Sequence, residues 1–284
     1  MSTEVVTIKP PMRPGLRPII VGVLNVTPDS FSDGGDYLDL DAAIAQAVQL
    51  RADGADIIDV GGESTRPGAE RIDPQLEQDR VLPVISALSE LDIPVSIDTM
   101  NASTAQLAID AGARMINDVS GGLADPEMFR TVAASGVHYV ASHWRGPSEN
   151  MDDLAEYGDV VTEVRDALKE RIAELIVWGT APENIIIDPG LGFAKTAEHN
   201  WALLSGLPEL ESIGYPLLIG TSRKRFLEPF ETAEGSSHDR DFATAITSAL
   251  AAQSGVWGVR VHNVSTTKKA LDVWSAWRSG GKNG

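Results

Sequence analysis

The sequence predicts an α/β protein folded as a single (β/α)8 TIM barrel, with the active site at the C-terminal ends of the strands. Eight short apolar runs alternate with amphipathic stretches, an order that indicates parallel strands joined by right-handed crossovers. Each run stops at a polar or Gly-rich corner, and such corners carry the reactive groups of barrel enzymes. A chain of 284 residues has the usual length for one such barrel.

The predicted elements follow one another without a break in composition. The runs interpreted as strands cover residues 18–24, 56–60, 94–97, 114–117, 137–141, 185–187, 216–219 and 258–261. Helical periodicity marks residues 42–51, 74–91, 102–110 and 157–178. Glycines at the expected helix ends predict left-handed caps ahead of the next strand. They are Gly54, Gly112, Gly136, Gly179, Gly214 and Gly255. An open doubly wound sheet is the alternative, and eight similar strands favour closure.

The domain organisation predicted from these elements is simple. Residues 19–278 are expected to form the barrel, with residues 1–18 and 279–284 as tails. Two connections on the catalytic face, residues 27–40 and 61–73, are longer than a tight turn and rich in Gly, Ser, Asp and Pro. Connections of this kind often act as mobile lids.

Composition excludes several classes of function. Lys and Arg number 23 against 41 Asp and Glu, a net charge of −18, and general nucleic-acid binding needs a basic footprint instead. The chain has no cysteine, so disulfides, thiolate nucleophiles and thiolate metal sites are excluded. Residues 1–18 lack the apolar core of a signal peptide, and no later segment is apolar for long enough to span a bilayer. We therefore expect a cytoplasmic protein without membrane contact.

Three hydrogen-bond acceptors end neighbouring strands. Asp98, Asn117 and Asp188 close the third, fourth and sixth apolar runs. Together they would suit a flat, amide-like heterocycle that presents several N–H donors, because a site with buried acceptors rejects analogues that leave them unpaired. The alternative for any one of them is a helix cap, a common role of Asp and Asn.

A basic set stands at the ends of strands two, seven and eight. Its members are Arg66, Lys224, Arg260 and His262, with Arg223 and Arg225 beside Lys224. Cations placed there in an acidic protein predict an anion-binding site, with phosphate or pyrophosphate as the ligand. For Arg223 and Arg225 a solvated helix start is as good an interpretation. For Arg260 and His262, which face the same side of one strand, the alternative is a buried ion pair with a neighbouring Asp.

Other cofactor chemistry lacks support in the sequence. There is no Walker loop and no Gly-x-Gly-x-x-Gly after the first strand, so nucleotide hydrolysis and dinucleotide redox chemistry are disfavoured. The five histidines do not pair at metal-ligand spacing, which disfavours structural zinc. Mg²⁺ carried in by a pyrophosphate and touched by one side-chain oxygen remains open.

Seven motifs in order along the chain resemble those of the dihydropteroate synthase family. They are LNVTPDSFSDGG at residues 24–35, DVGGESTRPG at 59–68, IDT at 97–99, INDV at 116–119, DPGLGFAK at 188–195, SRK at 222–224 and RVH at 260–262. The resemblance implies a barrel that condenses 6-hydroxymethyl-7,8-dihydropterin pyrophosphate with p-aminobenzoate by an SN1-like displacement, giving 7,8-dihydropteroate for folate biosynthesis. It also implies Mg²⁺, a homodimer and sensitivity to sulfonamides.

The resemblance further implies a role for each site residue. The pterin would be held by Asp98, Asn117, Asp188 and Lys224, and the pyrophosphate by Asn25, Arg66, Arg260 and His262. Asn25 would also reach the Mg²⁺. The p-aminobenzoate would be bordered by Thr65, Pro67, Phe193, Ser222 and Arg225. Asp98, Lys224, Arg66 and Asp188 would carry the catalysis.

Three residues depart from the family pattern. Ser142 stands where Met is common, Arg225 where others carry Ser, and Asn263 where Asp is usual.

Two rival functions share the barrel: a methyltetrahydrofolate-dependent methyltransferase, which has no pyrophosphate to bind, and a non-catalytic pterin-binding paralogue. The retained basic set disfavours the first rival, and the intact loop motifs at residues 27–35 and 64–68 disfavour the second.

Overall fold

The computed structural model describes residues 17–27, 36–64, 68–69, 71–147, 149, 151–231 and 237–280, with the backbone alone for 36–39, 152 and 237–239. Its strands are β1 (Ile19–Asn25), β2 (Ile57–Gly61), β3 (Val95–Asp98), β4 (Met115–Asp118), β5 (His138–Ser142), β6 (Ile185–Asp188), β7 (Leu218–Ile219) and β8 (Gly258–Val261). Its α-helices are α1 (Asp36–Ala52), α2 (Pro74–Glu90), α3 (Ala102–Asp110), α4 (Met128–Ser135), α5 (Val160–Trp178), α6 (Ala197–Ser205), α7 (Leu207–Glu211), α8 (Ser237–Ser254) and α9 (Val264–Gly280). Short 3-10 helices cover Met151–Leu154, Pro182–Asn184 and Arg225–Phe230.

The described strands form one parallel sheet that curls into a nearly closed barrel. Their order is β6-β5-β4-β3-β2-β1-β8-β7, and a parallel bridge between Ile187 and Leu217 brings the two edge strands together. This arrangement confirms the predicted (β/α)8 fold over the open doubly wound alternative. Most strands run one residue further than their apolar run; for example, β3 ends at Asp98, which is paired in register with Gly61 and Asn117.

Helix ends explain the glycine pattern in the sequence. The six glycines expected as caps all have positive φ, from +67° at Gly136 to +113° at Gly112. Gly136 and Gly179 follow α4 and α5 directly as their C-caps. Because glycine adopts this backbone region without a steric penalty, each helix stops at the bottom of the barrel and the chain turns into the next strand.

The inside of the barrel is built in two layers that follow from the period of two along each strand. The lower layer is a small apolar cluster consisting of Val21, Ile57, Met115, Val140, Ile186, Leu218 and Trp257. Two residues further along β2, β4, β5 and β6, the inward positions are polar. They hold Asp59, Asn117, Ser142 and Asp188, with Arg260 two residues after Gly258 on β8. The apolar floor therefore supports a polar layer at the C-terminal mouth.

A second, larger core lies between the strands and the surrounding helices. It includes Ile20, Ile58, Val81, Ile97 and Leu168, all fully buried. Because outward positions of the strands face helices instead of solvent, the strands read as continuous apolar runs. Among the described helices, none is both long and apolar enough to cross a bilayer.

Candidate active site

The polar layer at the barrel mouth surrounds one cavity. Its walls come from the ends of strands four to eight and the connections that follow them. The residues lining it are Asn117, Val119, Ser142, Asp188, Phe193, Gly220, Ser222, Lys224, Arg260 and His262. Residues drawn from both predicted sets, acceptor and basic, thus meet in a single space.

Arg260 is the centre of the ion pairs in this layer. Its Nε donates to Asp59 Oδ2 at 2.6 Å, and its Nη2 donates to Asp98 Oδ2 at 2.6 Å. Asp59 is fully buried, and its Oδ2 also accepts from Asn117 Nδ2 at 3.0 Å. The ion pair with a neighbouring Asp, which the sequence analysis gave as the alternative for Arg260, is therefore present. It uses two of the five N–H donors of the guanidinium, so the pairing leaves capacity for an anion.

Burial raises the pKa of both carboxylates predicted to bind the pterin, Asp98 and Asp188. Desolvation raises the pKa of Asp98, although Arg260 lowers it. Desolvation also raises the pKa of Asp188, against the opposing charge of Lys224 and a hydrogen bond from the Gly190 N–H at 2.7 Å. The capping alternative is not what the structure shows for Asp98, since α3 has Asn101 as its N-cap. Asp188 does have a local role, because one oxygen closes the turn at Gly190.

Lys224 approaches the cavity from the connection after β7. Its ammonium donates to the Leu191 carbonyl and lies 4.3 Å from the centroid of the Phe193 ring, a cation–π contact. Burial lowers the pKa of Lys224 to about 8, with Asp188 opposing the shift and Arg260 adding to it. A cation in this position faces an aromatic ring and a carboxylate across the same space.

Ser222 and His262 form a hydrogen-bonded pair in the cavity wall. Ser222 Oγ lies 2.9 Å from His262 Nδ1 and accepts from the His262 backbone N–H at 3.1 Å. When the hydroxyl donates to Nδ1, the ring proton is on Nε2, where it can serve an anion. The side chain of Ser222 thus orients the imidazole.

The remaining basic residues near β7 behave differently from one another. Arg223 is exposed, as the solvated interpretation expects, and makes a bidentate ion pair with buried Asp241, at 2.8 and 3.0 Å. Asn263 donates to the same carboxylate at 3.1 Å, so its amide satisfies Asp241 where an Asp would repel it. Arg225 is exposed and does not line the cavity; its role stays a prediction.

Several predicted residues lie at the other side of the mouth. Asn25 ends β1, and both its Oδ1 and Asp98 Oδ2 lie beside Gly61, 3.8 and 3.7 Å from where a Cβ would stand. Thr65, Arg66 and Pro67 lie outside the described residues, as do positions 28–35 of the first lid. The stem of the second lid is described: Arg71 Nε pairs with Glu63 Oε1 at 2.8 Å. Burial raises the pKa of Glu63 to about 7.

Sequence reasoning missed Asp59, which pairs with two of the predicted site residues. A signal for it existed, since Asp59 interrupts the apolar run Ile57–Gly61 and charged residues are almost never fully buried unless paired. Ser142, noted only as a departure from the family, ends β5 and is a buried part of the cavity wall. Val119 and Gly220 also line it, without any polar group that could have identified them.

Similarity to known proteins extends over nearly the whole chain. Residues 21–262 match the family described as pterin binding enzyme. The dihydropteroate synthase of Mycobacterium leprae is 51% identical over 272 residues, covering 94% of this chain and 96% of that protein. A solved structure of Xanthomonas albilineans dihydropteroate synthase with 4-aminobenzoic acid has a TM-score of 0.86 and 41% identity, covering 92% of this chain and 93% of that one. The same enzyme in complex with 7,8-dihydropteroate has a TM-score of 0.82 and 38% identity, covering 92% and 94%.

The central ion pair predicts a stability effect at Asp59. Asp59→Asn should lower the free energy of unfolding by about 3 kcal/mol, because the partly buried Arg260 guanidinium loses one of its two carboxylates. Urea denaturation followed by circular dichroism measures the change. Asp166→Asn is the matched control, since Asp166 pairs with Arg165 at the surface; its effect should stay below about 0.5 kcal/mol. Equal losses in the two variants would contradict a structural role of Asp59.

Proposed function

The chain belongs to the pterin-binding enzyme family, and we propose on that basis and from its site that it catalyses the dihydropteroate synthase reaction. It is a transferase that condenses 6-hydroxymethyl-7,8-dihydropterin pyrophosphate with p-aminobenzoate, giving 7,8-dihydropteroate and pyrophosphate. The observation that carries this function is the convergence of buried acceptors and cations on one cavity. Relatives aligned over nearly the whole chain are named for this reaction.

Recognition of the pterin follows from the acceptors. A pterin presents ring N–H and amino donors along one edge, and Asp98, Asn117 and Asp188 offer oxygens at the ends of three strands. The cation of Lys224 supplies a donor for the acceptor atoms of the ring. A flat ring whose donors come in a different order would leave buried oxygens unpaired, which disfavours its binding.

Departure of pyrophosphate needs cations close to the breaking bond. Arg260 and His262 line the cavity, and Arg66 is expected to join them from the second lid. Positive charge there stabilises the leaving group as its negative charge grows, while the nearby carboxylates stabilise positive charge on the pterin methylene. The displacement is SN1-like in this proposal. The C–O bond breaks before the amine attacks, and as the C–N bond forms the amine gives up one proton to solvent water.

The second substrate needs positioning more than activation. The amine of p-aminobenzoate is unprotonated near neutral pH, so no strong base is required. We propose that Phe193 and Ser222 border its ring, with Thr65, Pro67 and Arg225 completing the site. Holding amine and methylene together lowers the entropic part of the barrier. A sulfonamide of similar shape is expected to compete for the same place.

Mg²⁺ is proposed as a companion of the pyrophosphate. Among the described residues, no group of three or more acidic, His or Cys side chains could hold a metal alone. The side-chain oxygen of Asn25, beside Gly61, does fit the oxygen preference of Mg²⁺, which often binds through one or two side chains and substrate phosphates. Bound there, the ion would neutralise charge on the leaving pyrophosphate.

A homodimer formed through the last two helices is also proposed. An apolar groove between α8 and α9 is lined by Phe242, Ala245, Ile246, Ala249, Leu250, Thr266, Lys269, Ala270 and Val273. Phe242, Leu250 and Val273 are each about two-thirds exposed, which is unusual for large apolar side chains grouped on one face. A second copy of the chain is the occupant that the family resemblance implies.

A cytoplasmic location is also proposed, as the sequence led us to expect.

The reaction itself is tested by pyrophosphate release. Release should require both the pterin pyrophosphate and p-aminobenzoate, and a sulfonamide should compete with the latter. Asp98→Asn and Lys224→Met should each lower kcat/KM by about 100-fold or more, as loss of one charged contact in an active site typically does. Release that needs no p-aminobenzoate, or full turnover in either folded variant, would contradict the assignment.

The lowered pKa of Lys224 predicts a pH dependence. A lysine is charged below its pKa, so the ammonium is lost as the pH rises through about 8. We expect kcat/KM for the pterin substrate to fall above that pH. Lys224→Arg should remove the alkaline fall, whatever its effect on the maximum rate, because arginine stays charged. An unchanged alkaline limb in this variant would assign it to another group.

Removal of the metal tests the Mg²⁺ proposal. Chelation by EDTA should lower turnover by at least about tenfold, and added Mg²⁺ should restore it. Asn25→Leu should raise the Mg²⁺ concentration needed for half-maximal rate, whereas Asn184→Leu, remote from the mouth, should leave it unchanged. Full activity after chelation would rule out a required divalent ion.

The dimer is tested by its mass in solution. Leu250→Glu places a charge in the α8/α9 groove and should shift the protein from dimer to monomer in light scattering coupled to gel filtration. Val177→Glu is the control, because Val177 is exposed on α5, away from the groove. A monomeric wild-type protein at tens of micromolar would overturn the proposal.

A further inference from the structure

Lys195 is a buried lysine that does not line the cavity. It follows Phe193 by two residues in the connection between β6 and α6 and is 5% exposed. Its Nζ contacts His143 Nδ1 at 2.9 Å and donates to the carbonyls of Gly190 and Phe193, both at 3.0 Å. The three acceptors match the three donors of a charged ammonium, whereas burial and the charge of Lys224 lower the pKa of Lys195 well below its usual value.

His143 is held as an acceptor for that ammonium. Burial and the positive charges of Lys195 and Arg145 lower the pKa of His143 to about 2, so the ring is neutral at any ordinary pH. A neutral imidazole that accepts at Nδ1 carries its proton on Nε2. Lys195 therefore joins two connections, the one that carries itself and the one that begins at His143 after β5.

The two connections are in direct backbone contact as well. His143 donates its backbone N–H to the carbonyl of Asp188 at 2.9 Å. Gly190 has φ +66°, and a Cβ on it would stand 2.1 Å from the carbonyl oxygen of His143. Such close approach is possible only for glycine. The β6–α6 connection is therefore packed tightly onto the end of β5.

This connection also carries the groups that face Lys224. Leu191, between the two carbonyls bound by Lys195, accepts from the Lys224 ammonium. The Phe193 ring lies 4.3 Å from the same ammonium. Lys195 thus fixes the backbone on both sides of the contacts that hold Lys224 at the cavity.

We propose that Lys195 is a positioning residue of the transferase reaction, which clamps the β6–α6 connection to His143 and so fixes Phe193 against Lys224 at the p-aminobenzoate side of the cavity. The proposal rests on the proposed function. A buried, fully paired lysine could alternatively serve stability alone, and the two roles predict different kinetics. A stability role lowers the amount of folded enzyme, whereas a positioning role changes the KM for one substrate.

The test compares Lys195→Met, His143→Leu and His143→Asn with the wild-type enzyme in steady-state kinetics and thermal melting. Lys195→Met leaves three buried acceptors without a donor, and we expect the KM for p-aminobenzoate to rise about tenfold or more, with a smaller change for the pterin substrate. His143→Leu should raise the same KM, and His143→Asn, which keeps an acceptor near Nδ1, should bring it back close to wild type. Lys169→Met, at an exposed lysine, is the matched control.

The outcomes separate this proposal from the reaction assignment. If the wild type makes no dihydropteroate, the proposed function fails, whatever the variants do. If the wild type turns over and folded Lys195→Met keeps its KM for p-aminobenzoate within twofold, the positioning role is overturned. Should Lys195→Met not fold, the His143 pair decides: a KM that rises in His143→Leu and recovers in His143→Asn supports the clamp, and equal values in the two contradict it.

Discussion

The arrangement of the mouth depends on one interaction, the pairing of Arg260 with Asp59 and Asp98. These three charges lie directly above an apolar floor, where an unpaired charge would be strongly destabilising. Arg260 can reach both carboxylates because closure of the barrel brings β8 next to β1 and β1 next to β2. The pairing in turn fixes the Asp98 carboxylate at the barrel mouth and, through Asp59, the amide of Asn117, which lines the cavity.

The same pairing has a consequence for chemistry. Arg260 pairs with the Asp59 and Asp98 carboxylates and keeps further donors for an anion. In the function we propose, this one side chain would therefore contribute both to recognition of the pterin ring and to stabilisation of the leaving group. Lys224 has a similar position between Asp188 and the Phe193 ring. Acidic groups thus lie near each of these two cations at the cavity, which is how an acidic protein would bind a diphosphate locally in the function we propose.

Much of the fold and part of the site were predictable from the sequence, for physical reasons. Apolar runs and their polar ends follow from local periodicity, so the strands, the helix-end glycines and the location of Asp98, Asn117 and Asp188 at the mouth could be read directly. Pairings between distant elements could not. Arg260 and Asp59 are 201 positions apart, and the bonds of Arg223 to Asp241 and of Lys195 to His143 depend on the register and packing of whole elements. Local patterns do not encode which of several acidic residues a cation meets.

The most direct test of the account is a double-mutant cycle on the affinity for the pterin pyrophosphate, measured by calorimetry without p-aminobenzoate. The variants are Asp98→Asn, Arg260→Gln and the two combined. If Arg260 and Asp98 act as one unit at the mouth, the double variant should lose less than the sum of the single losses, with a coupling of about 1 kcal/mol or more. Losses that add to within about 0.3 kcal/mol would mean that the two residues act independently, and would contradict the account.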